Sequence, residues 1–230
     1  DIRAAAESGW DFSSRWLGDG VSLETIRTTR LIPIDLNALL FGLEEMIANE
    51  AQTLGDNDSA KQFAQRAGTR RQAIQQWLWN DKLQYYADYD LDANGIRDEL
   101  TAASAFALFV GVASHDRASA TAEALQQLLH PGGLMTTLHK TDQQWDAPNG
   151  WAPLQWIATV GLRRYGQDAL ARRIAKNWTD MVASHFVSTG QLLEKYDVAA
   201  CRAGGGGEYG TEIGFGWTNG VTLEFLSRQC

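Results

Sequence analysis

Cysteine is scarce in this chain, with 2 residues in 230, Cys201 and Cys230. The two could pair in an oxidising compartment, but they are too few to indicate a disulfide framework. Histidine is also scarce, and its 4 residues lack the spacing of metal ligands, so the sequence predicts no zinc site. A Gly-x-Ser-x-Gly elbow and a Gly-Lys-Ser/Thr phosphate loop are both absent from the sequence, and with them the signatures of two large enzyme classes.

Long apolar runs and basic runs are missing as well. No window of about 18 apolar residues occurs, so we expect no segment to span a membrane. The formal net charge is -8, and no cluster of lysine and arginine offsets it, so the field of the protein repels nucleic acid and anionic lipid. A neutral small molecule fits this field better than a polyanion, and neither nucleic acid nor membrane is expected as a partner.

Apolar residues recur at helical spacing, whereas alternating β-branched runs are few. After Asp35, a plausible N-cap, Leu36, Leu39 and Leu43 fall on one helical face. About seven helices are predicted, covering about residues 36–47, 59–79, 100–112, 118–129, 151–165, 169–186 and 218–226. The pattern favours a single all-α domain over residues 1–230, in which long loops rich in glycine and tryptophan carry the working side chains.

A four-glycine run, Gly204 to Gly207, lies between Glu194 and Glu208, with Phe215 and Trp217 soon after it. A bare glycine run is typical of a flexible linker. Here its neighbours are aromatic and acidic residues, which favour a loop over a pocket. Aromatic faces beside carboxylates suit a sugar, because a ring stacks on its C–H face while the acids accept hydrogen bonds from its hydroxyl groups.

Two further loops carry side chains of the same kinds. Asp11 lies between Trp10 and Phe12, a partly apolar setting that disfavours an ionised carboxyl group; alternatively, Asp11 caps the turn that follows. Residues 144–153 read QWDAPNGWAP, and their two prolines indicate a rigid loop. This loop could form a sugar-binding wall, although Asp146 could instead cap the following helix.

The segment from Asp90 to Gly95 matches the start of a calcium-binding loop. An EF-hand requires a bidentate glutamate at its twelfth position, where this chain has Thr101. A solvated acidic turn is therefore favoured over a calcium site.

Four blocks of the sequence, in order, resemble the trehalase family of glycoside hydrolases. Residues 144–153 match its QWDxPxGWxP signature letter for letter. The other blocks are ESGWDFSSRW at residues 7–16, EKYDV at 194–198, and GGGGEY with GFGWTNGV at 204–209 and 214–221. The resemblance covers essentially the whole chain.

This resemblance implies an (α/α)6 barrel that hydrolyses α,α-trehalose with inversion and without a cofactor or metal ion. It assigns Asp11 as the general acid and Glu194 as the general base that activates water. It also implies a set of substrate contacts: Gly9, Glu208, Trp145 and Trp151. The alternatives are another inverting α-glucosidase and a carbohydrate-binding fragment without catalysis.

An (α/α)6 barrel has twelve helices, more than the sequence predicts, and the family's earlier motifs, including arginines that clamp glucose hydroxyl groups, are absent. We therefore expect this chain to be the C-terminal half of the barrel, with the N-terminal part supplying the rest of the substrate cage. The chain begins at Asp1 without a leader, which together with the two cysteines favours a periplasmic or secreted protein over a cytoplasmic one.

Overall fold

The structure, a computed structural model, describes residues 1–228, so Cys230 and any pairing with Cys201 lie outside it. Within this range the chain is mainly helical. The helices are α1 (Ile2–Glu7), α2 (Ile34–Thr53), α3 (Asn57–Trp77), α4 (Ala105–Phe109), α5 (His115–Leu125), α6 (Ala152–Arg164), α7 (Asp168–Thr189) and α8 (Gly216–Ser227). Each of the seven predicted helices is present, and the prediction of a mainly helical fold is confirmed for the described residues.

Two local predictions were wrong. Asp35 does not cap α2, which begins at Ile34 after Pro33; the Asp35 carboxylate instead pairs with Arg15. The helix expected from about residue 100 is short, because the chain first makes a 3-10 turn at Ala102–Ser104 before α4 begins.

Helix α2 packs along α3, its neighbour in the chain. A tight turn containing Gly55, whose φ is +80°, joins α2 and α3, and the Asp56 carboxylate caps α3 by accepting from the Ser59 N–H at 3.1 Å. Further along, α4 packs on α6, and α6 packs on both α7 and α8. The larger apolar core joins α2, α4 and α6, and a smaller one lies between α6, α7 and α8. The helices therefore form a scaffold whose loops carry the candidate site residues.

Ten strands of two or three residues lie in the loops between the helices. They are β1 (Leu31–Ile32), β2 (Trp79–Asn80), β3 (Tyr85–Tyr86), β4 (Tyr89–Asp90), β5 (Gly95–Ile96), β6 (Leu129–His130), β7 (Gly133–Leu134), β8 (Asn149–Trp151), β9 (Lys195–Asp197) and β10 (Arg202–Ala203). Antiparallel pairing in the order β8–β9–β10 places Trp151 opposite Lys195. This small sheet therefore brings the QWDAPNGWAP loop, the EKYDV segment and the start of the four-glycine run together.

Arg15 forms the centre of a buried ionic cluster behind the Asp11 loop. Its guanidinium group makes two hydrogen bonds to Asp35 at 2.7 and 2.8 Å and two to Asp88 at the same distances. The rings of Trp10 and Trp16 cover its carbon Cζ at 4.6 and 4.3 Å. Burial alone would lower the pKa of Arg15, but the two carboxylates raise it above its usual value. Arginine suits this position because its planar fork serves two carboxylates while its faces stack on rings.

One face of α2 is apolar and exposed. Leu36, Leu39, Leu43 and Met46 follow helical spacing and are 53%, 46%, 50% and 62% exposed. The periodicity in the sequence therefore predicts the helix correctly, but the apolar face that it marks is exposed and not covered by any of residues 1–228. Across this described range, no helix combines the length and apolarity needed to cross a membrane.

The acidic turn at Asp90–Gly95 connects β4 to β5, and two arginines form ion pairs with its carboxylates. Asp90 is buried, not solvated as expected, and pairs with Arg27 at 2.5 Å, while Arg30 pairs with Asp92 at 2.6 Å. The N–H groups of Asp92 and Ala93 also donate to Asp90. The oxygens that a cation would need are thus already engaged.

Candidate active site

Asp11 lies in the loop after α1, and the backbone around it is fixed by the QWDAPNGWAP loop. The Gln144 side chain donates through Nε2 to the carbonyl oxygen of Asp11, and the Trp145 N–H donates to that of Phe12 at 3.0 Å. The proposed capping role was wrong, because Ser13 caps the following 3-10 turn. The Asp11 side chain is half-buried, and no residue within 1–228 donates a hydrogen bond to its carboxyl group.

Asp146 joins the two loops and is fully buried. Its Oδ1 accepts from the hydroxyl groups of Ser13, Ser14 and Thr137 at 2.8, 2.9 and 3.0 Å. Its Oδ2 accepts from the Ser14 N–H at 2.8 Å and from the Thr141 hydroxyl group at 2.5 Å. Asp146 therefore does not cap α6 and is not exposed at the surface, and its carboxylate anchors the Asp11 loop to the rigid loop.

The four-glycine run is packed against the same rigid loop. Asn149 donates through Nδ2 to the Gly205 carbonyl at 2.6 Å, and the Gly207 N–H donates to the Asp142 carbonyl at 2.7 Å. A Cβ atom at Gly204 would come within 2.9 Å of the Asn149 Oδ1, closer than real contacts allow. Glycine is therefore needed at position 204 for this close approach. The run is packed, unlike a flexible linker, and a loop over a pocket stays a prediction.

Glu194 lies immediately before β9 and is 3% exposed. Its backbone N–H donates to the Glu212 carbonyl at 2.9 Å, and the Thr218 hydroxyl group at the start of α8 donates to the Leu193 carbonyl at 2.8 Å. The carboxylate accepts at Oε2 from the Lys195 ammonium group at 2.9 Å and at Oε1 from the Tyr209 hydroxyl group at 3.3 Å. Both of its oxygens thus have donors.

A hydrogen-bond network connects the two predicted catalytic loops. Lys195 donates to the Gln144 Oε1 at 3.0 Å, while the amide nitrogen of Gln144 donates to the Asp11 carbonyl and, at 3.3 Å, to the Tyr209 hydroxyl group. Through Tyr209 and Lys195 the network reaches the Glu194 carboxylate. The side chain of Gln144 therefore links the backbone of one candidate to the carboxylate of the other.

Tyr209 reports on the electrostatics of the site. Partial burial raises the pKa of its phenol, the Gln144 hydrogen bond lowers it, and the negative charges of Glu194 and Asp11 raise it further. Both carboxyl groups therefore act on one hydroxyl group, although they are far apart in sequence. The fold brings the two predicted catalytic residues to the same region.

Beneath the network lies a stack of indole rings. Trp145 stacks on Trp151 with ring centroids 4.0 Å apart and planes 1° apart, and Trp10 stacks on the other side at 5.5 Å. Trp217 meets the edge of Trp151 at 5.8 Å and is 36% exposed, whereas Trp145 and Trp151 are 3% and 1% exposed. The two tryptophans predicted for the sugar-binding wall thus lie under the loop surface, and Trp217 is the accessible ring beside them.

Gly9 and Glu208 occupy exposed positions at the ends of the two loops. Gly9 follows α1 with φ at +80°, a conformation that favours glycine, and Glu208 follows the four-glycine run. The Glu208 side chain makes no ion pair with any of residues 1–228. Throughout this described part of the chain, no three His, Cys, Asp or Glu side chains are grouped as metal ligands would be.

Sequence reasoning missed three residues of this site: Gln144, Lys195 and Tyr209. All three lie within the blocks that were singled out, but a sequence offers no sign of contacts that join residues 51 or 65 positions apart. The one available signal was a lysine directly after a candidate catalytic glutamate.

The comparisons agree over the whole chain. The Trehalase family model matches residues 1–229. The periplasmic trehalases of Citrobacter koseri and Escherichia coli strain SMS-3-5 are 52% and 50% identical over 232 residues, covering 100% of this chain. The chain spans only 41% of the length of each.

Solved structures show the same fold. The neutral trehalase Nth1 from Saccharomyces cerevisiae aligns with a TM-score of 0.82 and 30% identity, over 97% of this chain and 41% of its own. A GH63 mannosylglycerate hydrolase from Thermus thermophilus aligns at 0.70 with 21% identity, over 86% of this chain and 46% of its own, and shows the fold alone. The family match over 229 residues and the 52% identity lead to one conclusion: this chain belongs to the trehalase family of glycoside hydrolases.

Proposed function

We propose that the full-length protein to which this chain belongs hydrolyses α,α-trehalose to two glucose molecules with inversion of configuration. The observation that carries the proposal is the hydrogen-bond network through Gln144, whose amide nitrogen donates to the Asp11 carbonyl and to the Tyr209 hydroxyl group, which in turn donates to Glu194. Two carboxyl groups on separate loops that converge in this way suit the acid and the base of a glycosidase. The activity is proposed for the whole protein, because this chain spans only 41% of the length of its periplasmic trehalase relative.

Asp11 is the proposed general acid. It donates its proton to the glycosidic oxygen as the bond between that oxygen and the anomeric carbon breaks. Its carboxyl group accepts no hydrogen bond within residues 1–228, which leaves it available to the substrate. The backbone bonds from Gln144 and Trp145 support this role by fixing the loop without engaging the carboxyl group.

Glu194 is the proposed general base. It accepts a proton from the water that attacks the anomeric carbon from the opposite face of the sugar. Inversion requires room for this water, so we expect the two carboxyl groups to lie about 6.5–9.5 Å apart in the substrate complex. The burial of Glu194 and the donors at both of its oxygens support the role, because they hold the carboxylate in a fixed orientation.

The proposed sugar contacts surround these two groups. Gly9 and Glu208 would contact the sugar from the exposed ends of their loops, where Glu208 has a free carboxylate for hydroxyl groups. Trp145 and Trp151, which are buried under the loop surface, would support the wall from below, and the accessible ring of Trp217 beside them would face the sugar. The reaction requires only carboxyl groups and water, so we propose no cofactor.

The rest of an (α/α)6 barrel would complete the substrate cage. We propose that helices from the N-terminal part of the same barrel cover the exposed apolar face of α2, since such faces are rarely left open in a stable monomer. The periplasm is the proposed compartment, supported by the names of the bacterial relatives.

Glucose release from trehalose, with maltose as the control substrate, tests the proposal in the full-length protein. We expect release from trehalose and a rate on maltose lower by at least about 100-fold, because the cage must fit a 1,1-linked disaccharide. A preference for maltose would favour a different α-glucosidase. Binding of trehalose without glucose release would instead favour a carbohydrate-binding protein.

A further inference from the structure

Lys195 is a buried cation that the proposed chemistry does not yet use. It is 0% exposed, and it is held in this position by the sheet, because the β8–β9 register places it opposite Trp151. Its ammonium group lies 5.3 Å from the centroid of the Trp151 ring and 4.9 Å from that of Tyr209. Burying an ammonium group is costly unless it is paired, so its partners are informative.

The ammonium group has two oxygen partners within residues 1–228. It donates to the Glu194 Oε2 at 2.9 Å and to the Gln144 Oε1 at 3.0 Å. These two oxygens and the rings of Trp151 and Tyr209 surround the Lys195 ammonium group and restrict its position. A charge-assisted hydrogen bond of this length is among the stronger interactions available to a carboxylate.

The two carboxylate oxygens of Glu194 have hydrogen bonds of different length and kind. Oε2 is held by the short bond from Lys195, whereas Oε1 has only the Tyr209 hydroxyl group at 3.3 Å. Tyr209 is 46% exposed and belongs to the loop that carries Glu208. Under the proposed function, water and substrate would arrive from this side, which is the side of Oε1. Lys195 therefore fixes the rotation of the carboxylate with Oε1 directed to that side.

We infer that Lys195 is a positioning residue for the general base: its ammonium group orients Glu194 so that Oε1 takes the proton from the attacking water. The inference rests on the proposed function. Lys195 does not touch the substrate and acts through Glu194 alone. The competing interpretation is a scaffold role, in which Lys195 only holds Gln144 and, through it, the Asp11 loop.

Two substrates separate these interpretations. Hydrolysis of trehalose requires both the acid and the base. With α-glucosyl fluoride, the bond between C1 and fluorine breaks and fluoride leaves without a proton, while the attacking water still gives its proton to Glu194. Loss of a base-side residue therefore slows both reactions, whereas loss of the acid, as in Asp11→Asn, slows only trehalose hydrolysis.

The Lys195→Met variant keeps the length of the side chain and removes its charge and donors. We expect kcat for both substrates to fall by about 100-fold. We expect the Kd for trehalose, measured by calorimetry, to stay within about threefold, since a positioning effect appears in kcat and not in binding. Lys176→Met is the matched control: Lys176 also pairs with an acid, Asp180, but on the exposed surface of α7, and its kcat should not change.

Lys195→Gln provides the second variant, because the methionine variant leaves Glu194 buried without its partner and could fail to fold. An amide retains a donor without a charge, and we expect a loss of about tenfold. A folded variant of either type with wild-type kcat overturns the inference. So does a loss confined to trehalose, or a loss of trehalose binding in parallel with kcat, since both indicate the scaffold role.

The activities of the wild-type protein on the two substrates show whether the proposed function or the inference about Lys195 has failed. If it hydrolyses α-glucosyl fluoride but not trehalose, the proposed substrate is wrong, and the Lys195 variants are still measured on the fluoride. If it hydrolyses neither, both proposals are wrong.

Discussion

Replacing Asp11 by Asn, or Glu194 by Gln, is expected to lower kcat for trehalose by at least about 1,000-fold in the full-length protein. Each change keeps the shape of the side chain. The amide that replaces the Asp11 carboxyl group has no acidic proton to give to the glycosidic oxygen, and the amide that replaces the Glu194 carboxylate takes none from water. Because the substrate is still bound, we expect the Kd for trehalose to change by less than about fivefold.

Steady-state kinetics with calorimetry measure both quantities, and Glu212→Gln is the matched control. Glu212 lies in the same loop cluster as Glu194, whose N–H bonds to the Glu212 carbonyl, but the Glu212 side chain is exposed. The control should keep wild-type kcat. If either catalytic variant retained more than about a tenth of wild-type kcat, that residue would not be the acid or the base.

The Arg15→Met variant is expected to lose about 3–5 kcal/mol of unfolding free energy, measured by denaturant titration. Arg15 is 1% exposed, and its removal leaves the carboxylates of Asp35 and Asp88 buried with their charges unpaired. Arg3→Met serves as the control, since Arg3 pairs with Glu7 on the surface and its loss should leave stability nearly unchanged. Equal stability of the two variants would contradict the importance assigned to the cluster.

The pH dependence of this loss has a defined sign. Burial raises the pKa of Asp88, but the charge and hydrogen bonds of Arg15, together with the Ile34 N–H, lower it by more. The pKa of Asp88 is therefore below its usual value. A lowered pKa contributes stability above the unfolded value of about 3.9, and this contribution disappears as pH falls through the folded value. The stability difference between wild type and Arg15→Met should therefore narrow below about pH 4.

The helical scaffold could be predicted from the sequence because helical periodicity is a local property. Leu36, Leu39 and Leu43 marked α2 correctly, although the helix continues to Thr53, about six residues beyond its predicted end. Periodicity does not show what covers a face, however, and this one is exposed in residues 1–228. The twelve-helix barrel stays a proposal.

The candidate site could be predicted only in part. The motif blocks located Asp11 and Glu194, and the structure brings their loops together. The roles of Asp146 and Gln144 could not be predicted, because each depends on partners about 130 residues away in the Asp11 loop. An aspartate next to a tryptophan fits a ligand contact or a helix cap equally well by sequence, and only the fold shows it as a buried anchor.

Proton NMR of the first products tests the central claim, that Asp11 and Glu194 act as the acid and base of an inverting trehalase, most directly. Fresh glucose is observed before its anomers equilibrate. Inversion at one anomeric carbon predicts one α-glucose and one β-glucose from each trehalose. Two α-glucose molecules would contradict the account, because retention requires a nucleophile in place of the base assigned to Glu194.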